Sequence, residues 1–248
     1  MTQNGTRQRI LDVALASFLA DGYEQTTIAA IRKRSGTSNG ALFHHFPSKG
    51  AIADALHVQG IASFQQGLWE LIGREPSSLH AAVRSVIEHQ LTWTERNADL
   101  ARFIYARGHL DWDTAAGAEL AALNRDLAAG FRRWMAPLVA SGEIRPLPML
   151  VATAIVSGPA HAIAQRWLAG HLDRPLASFT GELTTAACAG LRPAVAPAAD
   201  GPPAAARAGG PLPAVPPAAA STRVTLDLLA DDGTIRAHGQ ATAPLAVP

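Results

Sequence analysis

Residues 22–49 read GYEQTTIAAIRKRSGTSNGALFHHFPSK, and this stretch decides the fold. Thr26 and Thr27 can each offer a hydroxyl to the free N–H groups of a helix start. Ile28 and Ile31 stand three apart and share one helix face. Arg32, Lys33 and Arg34 follow, where cations suit the negative end of the helix dipole. Gly36 supplies a backbone turn that a side chain would resist. Thr37 or Ser38 caps the next helix, and Leu42 and Phe46, four apart, point the same way into a core. Ser38, Asn39, Ala41 and His45 face elsewhere, and Pro47-Ser48-Lys49 stops that helix and caps a third. Helix, glycine turn and short second helix form the pattern that lays its second helix in the DNA major groove.

Working outward, residues 6–20 place Ile10, Ala14 and Phe18 in one row and Leu11, Leu15 and Leu19 in the next, a core-facing stripe of helical period. With this helix included, Arg7–Leu56 resembles the DNA-binding domain of the tetracycline-repressor (TetR) family of bacterial transcriptional regulators. The shared positions are Phe18, Gly22-Tyr23, Thr26-Thr27, Ile31, Gly36, Ser38, Gly40, Leu42, Phe43, His44, Phe46 and Lys49, over about a fifth of the chain. The resemblance implies an all-α fold: an N-terminal three-helix helix-turn-helix domain over 1–50, and a helical ligand-binding and dimerisation domain over 51–191. It also implies phosphate contacts from Thr27, Ser38 and Lys49, with Asn39, Ala41 and His44 near base edges and Gly40 and Phe43 in the same DNA-facing set. An asparagine can bond adenine in two places, and an alanine methyl suits a thymine methyl. His44 can instead reach phosphate, and the edge of Phe43 can pack on sugar. The chain departs from the family pattern at Asn39, where Lys is frequent, at Ala41, where Thr is common, and at Phe43, where Tyr is common. Those departures leave the fold alone and bear on which operator is read.

Charge supports this division. The whole chain carries 21 Lys and Arg against 20 Asp and Glu. Residues 1–50 hold six basic against three acidic residues, residues 51–191 eleven against thirteen, and residues 192–248 four against four. The basic excess sits at the proposed DNA-binding end. The single cysteine, Cys188, cannot form an intrachain disulfide, which fits a reducing cytoplasm, and the N-terminal MTQNGTRQR lacks the apolar core of a signal peptide.

Beyond the first domain the period is helical throughout. A long helix from Ser48 to about Ile72 runs out of the DNA-binding unit through Ile52, Leu56, Ile61, Phe64 and Leu68, weakened locally by Gly60 and Gly67. Further helices are expected over Pro76–Glu95, Leu100–Gly108, Ala115–Val139 (capped by Asp113 or Thr114), Leu147–Leu168 and Pro175–Leu191. Residues 146–165 carry no formal charge. Pro148, Thr153, Ser157, Gly158, Pro159 and His161 nevertheless make them a poor membrane span. Pro159 should kink or split that helix. An all-round apolar helix needs burial, and the resemblance implies that 147–168 and 175–191 pair with their twins in a homodimer. Residues 192–220 are nearly all Pro, Ala and Gly and read as a linker. In residues 221–248, Val224, Leu226 and Leu228 alternate with polar residues ahead of the turn signal Asp231-Asp232-Gly233-Thr234. That pattern is compatible with a short β-hairpin, either docked on the body or without fixed structure.

A ligand cavity in the helical domain follows from the resemblance, since relatives usually release DNA when a small molecule fills one. Candidates to line it are Phe64, Trp93, Phe103, Tyr105, His109, Phe131, Trp134 and His161, although aromatic residues at helical spacing are more often core. They suggest a small apolar or aromatic effector. His109, Asp111 and Asp113 alternate poorly for a metal site on a helix, and no Cys/His cluster has zinc spacing. No cofactor is implied. There is no nucleophile elbow, phosphate loop or catalytic carboxylate pair, so the reading is not an enzyme but a cytoplasmic, sequence-specific DNA-binding transcriptional regulator. It would be a dimeric repressor released from a palindromic operator by its effector.

Overall fold

The computed structural model describes residues 3–106, 113–193, 221–229 and 235–244. Nine α-helices run in order among them: α1 (Gln3–Asp21), α2 (Ile28–Ser35), α3 (Asn39–His45), α4 (Lys49–Ile72), α5 (Leu79–Arg96), α6 (Ala98–Ala106), α7 (Ala115–Ala140), α8 (Met149–Leu168) and α9 (Thr180–Leu191). Two strands follow, β1 (Ser221–Leu229) and β2 (Ile235–Pro244), paired antiparallel from Ser221 opposite Pro244 to Leu228 opposite Ala237. The all-α body agrees with the sequence. The turn expected at Asp231–Thr234 and the linker residues 194–220 lie outside the described residues.

Capping chemistry sets most helix starts. Thr27, Ser38, Ser48, Ser78 and Thr114 each accept a hydrogen bond from the backbone N–H three residues on, which satisfies a donor the helix cannot. α5 starts at Leu79, directly after its Ser78 cap, and the Glu143 carboxylate accepts the Leu79 N–H at 3.0 Å. Thr26 does not cap. Its buried hydroxyl donates backwards, to the carbonyl oxygens of Gly22 (2.8 Å) and Ser17 (3.2 Å), and so pins the α1–α2 turn to α1.

Three expectations need correction. Pro159 neither splits nor ends α8, which runs unbroken from Met149 to Leu168; the flanking turns carry the helix across the one lost bond. The last segment opens as a 3-10 turn, Leu176–Phe179, before α9 begins at Thr180. Gly60 and Gly67 are contact points rather than mere weak spots: a Cβ at Gly60 would overlap Ile104, and one at Gly67 would overlap the His89 ring. Each glycine lets another helix lie against α4.

The core has two parts. One gathers Ile10, Leu11, Ala14 and Phe18 of α1 with Ile31, Leu42, Phe46, Ile52 and Leu56, and continues into Trp93, Phe103, Ile104 and Leu168. Leu19 of the predicted stripe is exposed. The N-terminal helices α1 to α4 therefore share a core with α5, α6 and α8. The other part joins α5, α7, α8 and α9 around Ile87, Leu91, Leu138, Ala160, Ala164 and Leu191. No helix among the described residues is long and apolar enough to cross a membrane.

Candidate DNA-reading surface

α2 ends in a glycine cap. Gly36 takes φ 63°, a left-handed conformation that favours glycine, and the Thr37 N–H reaches back to the Arg32 carbonyl at 3.3 Å. That turn aims α3. The Ser38 hydroxyl accepts the Ala41 N–H at 3.1 Å. Leu42 is fully buried and Phe46 nearly so, and the pair fix the rotation of α3 about its axis. Asn39, Gly40, Phe43 and His44 are left exposed, Phe43 by 45%, with Ala41 half-buried. Thr27, at the start of α2, is also exposed.

Lys49 has a second task that sequence reasoning missed. Its Nζ donates to the carbonyl oxygens of Tyr23 (2.8 Å) and Glu24 (3.2 Å) and sits 4.4 Å from the Tyr23 ring centroid. It ties the start of α4 to the α1–α2 turn and keeps one N–H for another acceptor. Arg34 is likewise engaged, with Asp21 at 2.6 Å and the Ser17 hydroxyl at 2.8 Å, and Arg7 lies 5.3 Å over the Phe46 ring. These partners stand 13 to 39 residues away in sequence, so no local pattern announces them.

The effector candidates fall into separate groups. Phe64 meets Trp93 edge-on at 5.4 Å and His89 at 5.1 Å, while His89 Nε2 lies 2.8 Å from the Phe64 carbonyl. Phe103 stacks on Phe18 of α1 at 5.5 Å. Phe131 and Trp134 meet at 5.7 Å, with the Trp134 N–H on the Arg74 carbonyl. Tyr105 and His161 meet edge-on at 4.4 Å. Burial pushes the Tyr105 hydroxyl pKa up, opposed by a side-chain hydrogen bond with Thr94, and burial pulls the His161 pKa down. Beside them Gln90 Nε2 donates to the Ser157 carbonyl, while its buried Oε1 has no hydrogen-bond partner. His109 lies outside the described residues. A cavity of about 600 Å³ lies elsewhere, between α1, α4 and the start of α7, with Arg7, Asp54, Val58, Gln59, Ala115 and Glu119 in its lining.

Two short capped helices joined by a glycine turn, α2 and α3, have the arrangement of a helix-turn-helix. Residues 10–56 match the family of bacterial regulatory proteins of the tetR family. The chain is 42% identical over 116 positions to the transcriptional repressor Rv1474c of Mycobacterium tuberculosis, covering 38% of this chain and 60% of that one. It is 29% identical over 103 residues to the transcriptional regulator AcrR of Shigella flexneri, covering 40% of this chain and 48% of that one. Its fold is similar to that of the Bacillus subtilis regulator FadR in complex with stearoyl-CoA, with a TM-score of 0.60 at 17% identity over 75% of this chain and 99% of that one. The family match lies on residues 10–56, within helices α1 to α4, and the curated relatives that the chain matches are transcriptional regulators. The match covers about half the length of such curated relatives as AcrR.

Proposed function

We propose that this protein is a dimeric transcriptional repressor that binds a palindromic operator and is released by a small, mostly apolar molecule. The observation that carries the reading is the division of α3: Leu42 and Phe46 are sealed into the core while Asn39, Gly40, Phe43 and His44 stand exposed on a capped helix. Thr27, Ser38 and the remaining Lys49 N–H supply phosphate contacts, and Asn39, Ala41, Phe43 and His44 meet the groove.

The twofold axis would run along α8 and α9. Leu150 and Val151 of α8 are 36% and 40% exposed, and Thr153, Ala154, Gly158, Ala162, Thr185, Ala186 and Ala189 are exposed with them. Small, uncharged side chains on helices otherwise tied to the core suit close helix pairing, so residues 147–168 and 175–191 would meet their twins. Two heads on a twofold axis require a palindrome.

Effector uptake is proposed at the α5–α6–α8 crossing, where Tyr105, His161 and the Gln90 carbonyl put polar groups into an apolar interior; Phe64 and Trp93 lie toward α4. The stearoyl-CoA held by the Bacillus subtilis regulator supports a mostly apolar effector for a body of this architecture. The effector must bind the DNA-free state more tightly than the DNA-bound one. The protein acts in the cytoplasm, where the DNA is.

Selection of genomic fragments by the purified protein at fixed, near-physiological salt tests this reading. An enriched palindrome bound about a thousandfold or more above background is expected. Weak binding everywhere would overturn it.

A further inference from the structure

The exposed side of α3 carries information about which bases it reads, given that α3 is the helix that enters the groove. Residues Asn39–His45 read NGALFHH, with neither Lys nor Arg. The paired contact to guanine O6 and N7, the commonest specific contact made by those two side chains, is therefore unavailable from this helix. Its exposed row instead offers the Asn39 carboxamide and, one turn on, the Phe43 ring, 45% exposed. The carboxamide has a donor and an acceptor that match adenine N6 and N7, and an apolar surface matches the thymine C5 methyl.

Gly40 sits between them. Gly40 is the second residue of α3, and ordering a glycine there costs more backbone entropy than ordering an alanine, so its place here needs a reason. The fold supplies none: Gly40 is not among the positive-φ glycines, and a Cβ built on it would meet nothing within 4 Å. The missing side chain leaves room for something approaching from outside, beside Asn39 and Phe43.

We propose that α3 reads adjacent A·T base pairs. Asn39 bonds N6 and N7 of an adenine, Phe43 packs on the C5 methyl of a thymine, and Gly40 lets the helix backbone sit close to the base edges. The proposal rests on the regulator reading above and adds the base class that the half-site must contain.

The test uses the full chain and the selected operator, with affinity read by fluorescence anisotropy at fixed salt. Each adenine is replaced in turn by 7-deaza-adenine, and each thymine by deoxyuridine. One 7-deaza-adenine position should weaken wild-type binding by about fivefold or more and have no effect on Asn39→Ala. One deoxyuridine position should weaken it by about fourfold and have no effect on Phe43→Ala. Gly40→Ala should melt at a higher temperature than wild type yet bind the operator several-fold more weakly; melting curves also show that all three variants fold. An operator whose specificity rests on G·C pairs, unaltered by Asn39→Ala and Phe43→Ala, would overturn the proposal while leaving the regulator reading intact. So would full affinity in Gly40→Ala. Failure to select any operator would overturn the regulator reading itself, before any base analogue is tried.

Discussion

The reading head and the helical body are built from the same chain but by different rules. In the head, from α1 to the start of α4, the decisive contacts are short in sequence: caps three residues long at Thr27, Ser38 and Ser48, and a glycine turn at Gly36. In the body they are long. Gln65 bonds Asn124, Gln90 bonds Ser157, Leu79 bonds Glu143 and Gly67 receives the His89 ring. Structure dictated by neighbouring residues can be read from a sequence; structure dictated by residues 60 positions away cannot.

The two regions meet where Phe18 stacks on Phe103, and substitution there gives the largest expected effect. Phe18→Ala removes a buried ring from α1 that also touches Tyr23 at 5.2 Å, at a loss of about 3–5 kcal/mol. Denaturant unfolding should shift as one cooperative transition. Two transitions, with only one moved, would break the account and make head and body independent.

Next in size is Gly67→Ala, confined to the body. The added methyl overlaps the His89 ring and should destabilise by about 1–3 kcal/mol. The double variant with His89→Ala should recover most of that loss in a double-mutant cycle; no recovery would place the strain elsewhere.

Ser38→Ala probes the head alone. Losing the cap on the Ala41 N–H should lower stability by about 1 kcal/mol and weaken operator binding as α3 frays. Unchanged melting would mean that the Leu42 and Phe46 anchors suffice.

The smallest effect concerns pH. Burial holds the His161 pKa below its usual 6.5, so the unfolded chain binds this proton more readily than the folded one. The stability due to neutral His161 is fully present above about pH 6.5 and is lost as pH falls toward the depressed folded value. Melting temperature measured from pH 7 down to 5 should fall less steeply in His161→Gln than in wild type. Equal slopes would contradict the assigned burial.

The reading head was legible almost to the residue, because capping, glycine turns and i,i+4 anchors are local rules. Its long-range ties were not legible: the hydrogen bonds of Thr26 and Lys49 go back to α1 and to the α1–α2 turn. In the body the helices were legible from their period, but which aromatic side chains serve packing was not. Phe103 looks no different from Tyr105 in sequence, yet one stacks on α1 and the other faces His161. Pro159 does not split α8, because a proline's local cost does not reveal how much the surrounding structure offsets.

The central claim, two identical heads on one palindrome, is tested most directly by sedimentation equilibrium of the protein with its selected operator duplex. The account predicts two chains per duplex, with the free protein already dimeric at micromolar concentration. A monomeric protein, or one chain per duplex with both half-sites intact, would contradict it.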